Sequence, residues 1–270
     1  MSQPSSGTPG PSRRTVTTAA AWSAPVAAAV ISAPLAAAST AVPCYSAVNF
    51  RRTSNTGGST AVLQAVSPSG AVSTVRITSV LAPGTTTETQ GTSYNLTQAG
   101  MGWGGRTTDG AAAEESYSYW GAKALVLNQR RAGPITELPS PGSDAQTLTF
   151  QFFDPQGRVF DPIGFELEIV DLTSQERRVW TPTHWDTVGF SVAPTSIAKD
   201  GLVDGVGAGT IADPYRRATG EAPTTSFSKT DIFSFDAFPS GSTLTYTQHE
   251  GRQGWHAIFL TGLRFRADDC

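Results

Sequence analysis

The chain is poor in the residues that most often carry redox or metal chemistry. Its 270 residues include 2 cysteines, 2 methionines and 3 histidines. None of the histidines, His184, His249 and His256, neighbours a cysteine or has the spacing of a zinc site. The sequence also has no G-x-S-x-G elbow, P-loop lysine or EF-hand spacing. Because no catalytic motif is present, we predict a protein that is not an enzyme and that has no bound cofactor.

Charged residues are also sparse and almost balanced. Lys and Arg total 19 and Asp and Glu total 22, which gives a net charge of -3. An acidic, dispersed balance argues against a nucleic-acid or anionic-membrane partner. The arginine pairs are scattered along the chain, so we interpret them as solvent-exposed surface: Arg51-Arg52, Arg130-Arg131, Arg177-Arg178 and Arg216-Arg217.

The first forty residues have the three parts of a cleavable export signal. Arg13 and Arg14 precede an uncharged, Ala-rich run over Val16–Pro34, which ends at Leu35-Ala36-Ala37-Ala38. A charged region, a short apolar region and a small-residue site define a secretory signal peptide. An arginine pair directly before the apolar run is typical of the twin-arginine variant. The run has too few bulky residues to favour a transmembrane anchor.

We therefore predict a signal peptide over residues 1–38, with cleavage after Ala38 and with Ala36 and Ser39 as competing positions. The twin-arginine and general secretory routes both stay open. The leader resembles the export leaders of actinobacterial surface proteins through Arg13-Arg14 and Ala21-Trp22-Ser23-Ala24-Pro25-Val26. The mature chain is expected to be secreted or to stay at the cell envelope, without a membrane span.

The two cysteines lie near opposite ends of the mature chain. Cys44 follows the proposed cleavage site closely, and Cys270 is the last residue. In an oxidising compartment two lone cysteines usually pair, so we predict a disulfide between them. That bond requires the two ends to meet, with Cα atoms within about 7 Å. Lipidation of Cys44 and two free thiols are the alternatives.

Period-two alternation of apolar residues recurs along the mature chain and predicts half-buried strands. The first two strands flank Ser67-Pro68-Ser69-Gly70, which is a hairpin signal. In the last strand the apolar parity shifts across Gly262, which predicts a β-bulge. The predicted strands are Thr60–Val66, Ala71–Leu81, Gln146–Asp154, Ile163–Leu172, Thr187–Val192, Ile232–Phe238, Ser242–Gln248 and Ala257–Phe265.

About ten strands separated by Gly and Pro predict an all-β fold, specifically a β-sandwich of the jelly-roll kind with little helix outside the signal peptide. Residues 39–270 are expected to form one such domain. Two less regular regions, near residues 94–119 and 199–228, are predicted to be long loops.

The segment Gln146–Ala267 is similar to a β-sandwich module that recurs in bacterial surface proteins. The residues that carry this resemblance are Ile169-Val170-Asp171, Asp186-Thr187-Val188, Gly205-Val206-Gly207-Ala208-Gly209-Thr210 and Leu244-Thr245-Tyr246. The resemblance implies a fold rather than an activity.

Two candidate sites follow from residue types near predicted loops. Asp171 and Asp186 flank one loop and are candidate calcium ligands, since calcium prefers carboxylate and carbonyl oxygens. Trp180 and Trp185 bracket another loop and are candidates for stacking on sugar rings. Core or rim packing is the alternative for both tryptophans.

The leading hypothesis is a non-enzymatic exported or cell-surface β-sandwich protein that binds an envelope glycan or a surface protein. One alternative is a carbohydrate-binding module that uses Trp180 and Trp185. The other is a secreted hydrolase whose site is assembled from separate loops.

Overall fold

The computed structural model describes residues 43–50, 58–89, 92–93, 95–97, 105–106, 112–113, 124–131, 144–175, 184–199, 204–218, 230–250 and 256–267. These ranges contain strands, turns and bends and no α-helix, which confirms the predicted all-β class. No helix capable of crossing a bilayer therefore occurs within them. The predicted signal peptide, with Arg13, Arg14, Ala36 and Ala38, lies outside the described residues.

The described residues form nineteen strands, of which nine have seven residues or more. In chain order they are β1 Tyr45–Val48, β2 Thr60–Val66, β3 Val72–Leu81, β4 Thr85–Thr86, β5 Glu88–Thr89, β6 Thr92–Ser93, β7 Gly105–Arg106, β8 Ala112–Ala113, β9 Leu125–Arg131, β10 Asp144–Phe153, β11 Ile163–Val170, β12 Ser174–Gln175, β13 His184–Phe190, β14 Ser196–Lys199, β15 Gly205–Val206, β16 Arg216–Arg217, β17 Thr230–Ala237, β18 Thr243–Glu250 and β19 His256–Arg266.

Thirteen of these strands form one antiparallel sheet. Its order is β12-β13-β18-β10-β3-β2-β1-β19-β11-β17-β14, with β9 paired to β19 and β4 paired to β9. β1 and β19 therefore join the half of the sheet that contains β10 to the half that contains β11. A sheet of this length must curl, because each strand is rotated relative to its neighbour.

The two halves of the curled sheet pack face to face over one aromatic core. Phe150 and Phe152 of β10 lie 6.3 and 5.6 Å, between ring centroids, from Phe165 of β11. Phe190 of β13 lies 5.0 Å from Phe233 of β17. None of these strand pairs is hydrogen-bonded in the sheet order, so the contacts span the interior. The fold is therefore sandwich-like, as the sequence predicts.

Strand positions follow the alternation in the sequence. β2 coincides with the predicted Thr60–Val66, and its side chains are alternately exposed and buried. The Ser67–Gly70 turn connects β2 to β3, and Gly70 donates its N–H to the Ser67 carbonyl at 2.9 Å. Gly70 has a φ of +91°, a left-handed conformation in which glycine carries no Cβ penalty. The predicted hairpin is confirmed.

The predicted bulge in the last strand is also present. Glu168 of β11 pairs with Gly262, whereas the next residue, Ile169, pairs with Leu260, so Thr261 is the extra residue in β19. The one-residue shift moves the apolar residues after it onto the core side. The core-facing residues on both sides of the bulge are Ile258, Leu260, Leu263 and Phe265.

Eleven of the nineteen strands are not among the predicted ones, and most of these have only two residues. Two of the eleven, β9 and β1, show no usable period in the sequence. In β9 Leu125, Val126 and Leu127 are all fully buried, so the strand reads as a continuous apolar run. β1 has only four residues, which is too few to show a period. The less regular region near residues 199–228 contains the short ladder between β15 and β16.

Candidate functional site

Of the two candidate sugar-stacking tryptophans, only Trp185 lies in a described part of the chain. Trp180 lies outside the described residues. The backbone of Trp185 belongs to β13, where it is paired with Ser174 on one side and His249 on the other. The sugar-stacking role of these two residues stays a prediction.

The two candidate calcium ligands have different surroundings. Asp171 directly follows β11 and has a φ of 72°, a left-handed conformation that aspartate tolerates better than most residues. Asp186 is buried in β13, and its carboxylate accepts hydrogen bonds from the Tyr246 hydroxyl at 2.9 Å and the Thr173 hydroxyl at 3.0 Å. The Thr173 bond holds the loop after β11 against β13, and the Tyr246 bond links β13 to β18.

Asp186 thus has a structural role that needs no metal. Across the described ranges, no three His, Cys, Asp or Glu side chains group together as a metal site would require. Calcium binding by Asp171 and Asp186 stays a prediction.

A fully buried ion pair lies beside this loop. Arg217 of β16 donates two hydrogen bonds to Asp231 of β17, with Nη1–Oδ1 and Nη2–Oδ2 distances of 3.0 and 2.6 Å. Both side chains have no exposed surface. Arg217 Nε also donates to the Leu172 carbonyl at 2.8 Å, and the Tyr215 hydroxyl donates to Asp231 Oδ1 at 2.9 Å. We call Arg217, Asp231 and Tyr215 the Arg217 network.

The interpretation of Arg216-Arg217 as solvent-exposed surface is therefore wrong for Arg217. Consecutive residues of a strand point to opposite faces, so Arg216 remains partly exposed while Arg217 enters the interior. Burial raises the pKa of the Tyr215 hydroxyl above its ordinary value, and the charge of Asp231 adds to this effect. Tyr215 is consequently a neutral hydrogen-bond donor.

The glycine-rich segment Gly205–Thr210 packs around the Arg217 network. A Cβ at Gly205 would overlap the ring of Tyr215, and one at Gly207 would overlap the Pro214 carbonyl. The Ala208 N–H donates to the Asp213 carboxylate at 2.8 Å. The glycines therefore allow close approach of backbone to Tyr215.

A cleft of about 300 Å³ lies at one open end of the core. Its walls come from β1, the β2–β3 hairpin, the β10–β11 loop and the end of β19. We call it the serine cleft, after three of its lining residues. The lining consists of Ser46, Ser67, Ala71, Ser73, Asp154, Pro155, Gln156, Arg158, Phe160, Phe265, Arg266 and Ala267.

Two serines occupy core-facing positions at this end of the sandwich. Ser46 shares its face of β1 with the buried Val48, and Ser73 shares its face of β3 with the buried Val75. Ser46 is 4% exposed and Ser73 is 9% exposed. Within the described part of the chain neither hydroxyl has a hydrogen-bond partner, and neither is sealed from the cleft. The core thus ends in two nearly buried hydroxyls that are available to a ligand.

Two phenylalanines and a hydrogen-bonded loop form another part of the lining. Phe160 and Phe265 meet edge to face at 5.5 Å between centroids and form the apolar part of the lining. The loop that carries Phe160 is closed by Asp154, whose Oδ1 accepts from the N–H groups of Gln156 and Arg158 at 2.9 and 2.8 Å. A ligand would therefore enter a preformed space.

The serine cleft lies next to Cys44. The Ala267 N–H donates to the Cys44 carbonyl at 3.0 Å, and Cys44 Sγ lies 3.8 Å from the Ala267 carbonyl oxygen. The antiparallel pairing of β1 with β19 thus brings Cys44 close to the strand that leads toward Cys270. Cys270 itself lies outside the described residues, so the disulfide stays a prediction.

The described residues form an all-β, sandwich-like fold with a small cleft lined by its first and last strands, the β2–β3 hairpin and the β10–β11 loop. No family model matches the sequence, and no curated protein matches it. Among solved structures, the adhesin domain of PrgB from Enterococcus faecalis bound to DNA aligns with 9% identity and a TM-score of 0.35. The alignment covers 75% of this chain and 70% of that chain. A TM-score this low supports no conclusion about function or partners.

Proposed function

We propose that the chain is a non-enzymatic, exported protein of the cell envelope that binds one sugar residue of an envelope glycan in the serine cleft. The export part of this proposal rests on the leader that contains Arg13 and Arg14. The binding part rests on the cleft, since sugar recognition needs hydroxyl partners beside an apolar surface.

The observation that carries the proposal is the state of the Ser46 and Ser73 hydroxyls. Both residues are more than nine-tenths buried, yet neither hydroxyl is bonded to a described residue. Neither hydroxyl is among the buried, unbonded side-chain atoms of the described residues, so both open to the cleft, where a ligand can bond to them. A hydroxyl both donates and accepts, which suits the hydroxyls of a sugar.

The size of the cleft limits what it holds. A volume of about 300 Å³ is at the lower end of the range of ligand pockets. This space suits a single sugar residue and excludes an extended chain. We therefore expect recognition of a glycan end or of one exposed unit.

A glycan array tests the proposal with the processed protein and four variants. Ser46→Ala and Ser73→Ala each remove one cleft hydroxyl, and we expect selective binding to weaken about fivefold or more in each because a hydrogen bond is lost. Ser242→Ala is the matched control, because Ser242 is also nearly buried, at 8% exposure, but does not line the cleft. Trp185→Ala tests the alternative carbohydrate site.

The outcomes separate the hypotheses. Loss of binding in Ser46→Ala and Ser73→Ala but not in Trp185→Ala supports the cleft. Loss of glycan binding in Trp185→Ala alone indicates that the glycan binds at the predicted tryptophan site instead. Absence of selective binding by the unmodified protein contradicts glycan recognition. Release of sugar from a bound glycan, measured as new reducing ends, contradicts the non-enzymatic assignment and favours a hydrolase.

A further inference from the structure

Among the described residues that line the serine cleft, every charge is either paired or directed away from the cleft. Two of the lining side chains form an ion pair at the rim, where Arg158 Nε donates to Asp154 Oδ2 at 2.7 Å. The backbone N–H of Arg158 also bonds to Asp154 and holds the pKa of its carboxyl below the usual value, so Asp154 is ionised at neutral pH. The pair therefore carries no net charge.

Arg266, the third charged residue of the lining, has its side chain on the outer face of the sheet. It follows Phe265, which belongs to the core, and successive side chains of a strand point to opposite faces. The stem of Arg266 lies along Gly164 of β11, where a Cβ would come within 2.9 Å of Arg266 Cγ. The charge of Arg266 is thus on the other side of the sheet from the two cleft serines.

The two cleft hydroxyls lie on either side of one strand. Ala47 of β1 pairs with Val66 of β2, and Ala65 of β2 pairs with Ser73 of β3. Ser46 and Ser73 are therefore separated by two strand spacings and offset by two residues along the strands. With strands about 4.8 Å apart and a rise of about 3.4 Å per residue, the two Cα atoms are about 12 Å apart.

The intervening strand leaves the space between the two hydroxyls open. Its core-facing residues at this end are Ala65 and Ser67, which are buried and have small side chains. The Ser67 hydroxyl is already bonded to the Ala71 N–H at 3.1 Å and to the Ser69 hydroxyl at 2.8 Å. A hydrogen bond of about 2.8 Å at each cleft serine leaves about 6 Å between the two oxygens of a bridging ligand. Oxygens on opposite sides of a pyranose ring reach this separation, whereas oxygens on neighbouring ring carbons do not.

We infer that the ligand of the serine cleft is an uncharged pyranose that bridges Ser46 and Ser73 through oxygens on opposite sides of its ring. This inference rests on the proposed function and adds the charge class of the sugar and the way in which it is held. An ionic group that enters a partly buried cleft loses hydration and needs an opposite charge, which the described lining does not supply. Phe265 pairs with Ser46 in the register and, together with Phe160, offers an apolar surface to the C–H groups of the ring.

Isothermal titration calorimetry tests the charge class. The methyl pyranosides of glucose, galactose and mannose are titrated first, and the one that binds most tightly is compared with its uronate and its 2-amino derivative. We expect both charged derivatives to bind about tenfold or more weakly, because neither finds an opposite charge in the cleft. Added salt should leave the affinity for the neutral sugar unchanged, since salt screens interactions between charges.

Monodeoxy derivatives of the same sugar locate each hydrogen bond. Ser46→Ala should lower the affinity for the parent sugar about fivefold or more, but not the affinity for the derivative that already lacks the hydroxyl bound by Ser46. Ser73→Ala should behave in the same way with a different derivative, whose missing hydroxyl lies across the ring. Ser242→Ala is the matched control, because Ser242 does not line the cleft. Thermal melting of each variant verifies that it is folded.

Each contrary result has a different meaning. A uronate or amino sugar that binds at least as tightly as the neutral sugar overturns the uncharged class and leaves the proposed glycan binding intact. The bridge is overturned if both serines couple to one hydroxyl or to hydroxyls on neighbouring carbons, or if neither serine variant changes the affinity. Failure of every sugar to bind in calorimetry and on the array overturns the proposed function as well.

Discussion

The Arg217 network provides the sharpest test of the structure. Arg217 and Asp231 are fully buried and joined by two hydrogen bonds, so neither charge is solvated by water. Arg217→Met keeps a long apolar side chain at this position and removes the charge. The substitution leaves the Asp231 carboxylate buried without its counterion. The Leu172 carbonyl also loses its bond from Arg217 Nε.

Breaking a buried ion pair by removing one partner costs about 3–5 kcal/mol, because the remaining charge is uncompensated. For a domain of this size, a loss of 4 kcal/mol corresponds to a fall in Tm of about 10 °C. Asp231→Asn in the Arg217→Met background removes the uncompensated charge and leaves an oxygen for the Tyr215 hydroxyl. We therefore expect the double variant to be more stable than Arg217→Met alone.

Urea unfolding of the two single variants and the double variant gives the coupling between the two side chains. Arg264→Gln is the control, because Arg264 and Glu166 form a partly exposed pair, with 48% and 19% of their side-chain surfaces accessible. Such pairs contribute about 0–1 kcal/mol. The pair is not dry and fully buried if Arg217→Met lowers the free energy of unfolding by less than about 1 kcal/mol and this loss simply adds to that of Asp231→Asn.

Three further predictions concern single residues. Gly205→Ala places a Cβ against the Tyr215 ring, so we expect a loss of about 1–3 kcal/mol in urea unfolding, and an unchanged midpoint would contradict this packing. Tyr215 is neutral in the fold because burial raises its pKa, whereas an unfolded tyrosine ionises near pH 10. The contribution of neutral Tyr215 to the free energy of unfolding is therefore complete below about pH 10 and is lost as the pH rises further. In Tyr215→Phe we expect the urea midpoint to change less between pH 8 and pH 11 than in the unmodified protein. Intact mass under non-reducing conditions should be two hydrogens below the reduced value if Cys44 and Cys270 pair, and alkylation of both thiols would contradict the pairing.

Alternation in the sequence accounts for most of the sheet. β2 and β10 were predicted because one face of each strand is buried and the other is not, which leaves a period of two in the residue types. β9 was not predicted because side chains on both of its faces are buried, so its apolar residues form a run without a period. A buried strand of this kind cannot be distinguished from a helical segment by period alone.

The candidate site could not be predicted from the sequence, and the reason is different from that for β9. Ser46, Ser73 and Arg266 come from three strands and form a cleft only when β1 lies between β2 and β19. Serine and arginine are common at surfaces, so none of the three residues is distinctive by itself. Arg217 was misassigned because its neighbour Arg216 suggested a charged surface, whereas the alternation of a strand places them on opposite faces.

The pairing of β1 with β19 determines how the domain responds to mechanical load. Pro43 and Ala267 stand at the same end of this antiparallel ladder, beside the bond between Cys44 and Ala267. Tension applied at these two points opens the ladder from that end, one hydrogen bond after another, because the bonds lie perpendicular to the strands. A covalent link between Cys44 and Cys270 would bridge those points and carry the tension itself. The sheet would then bear none of the load applied at these two points.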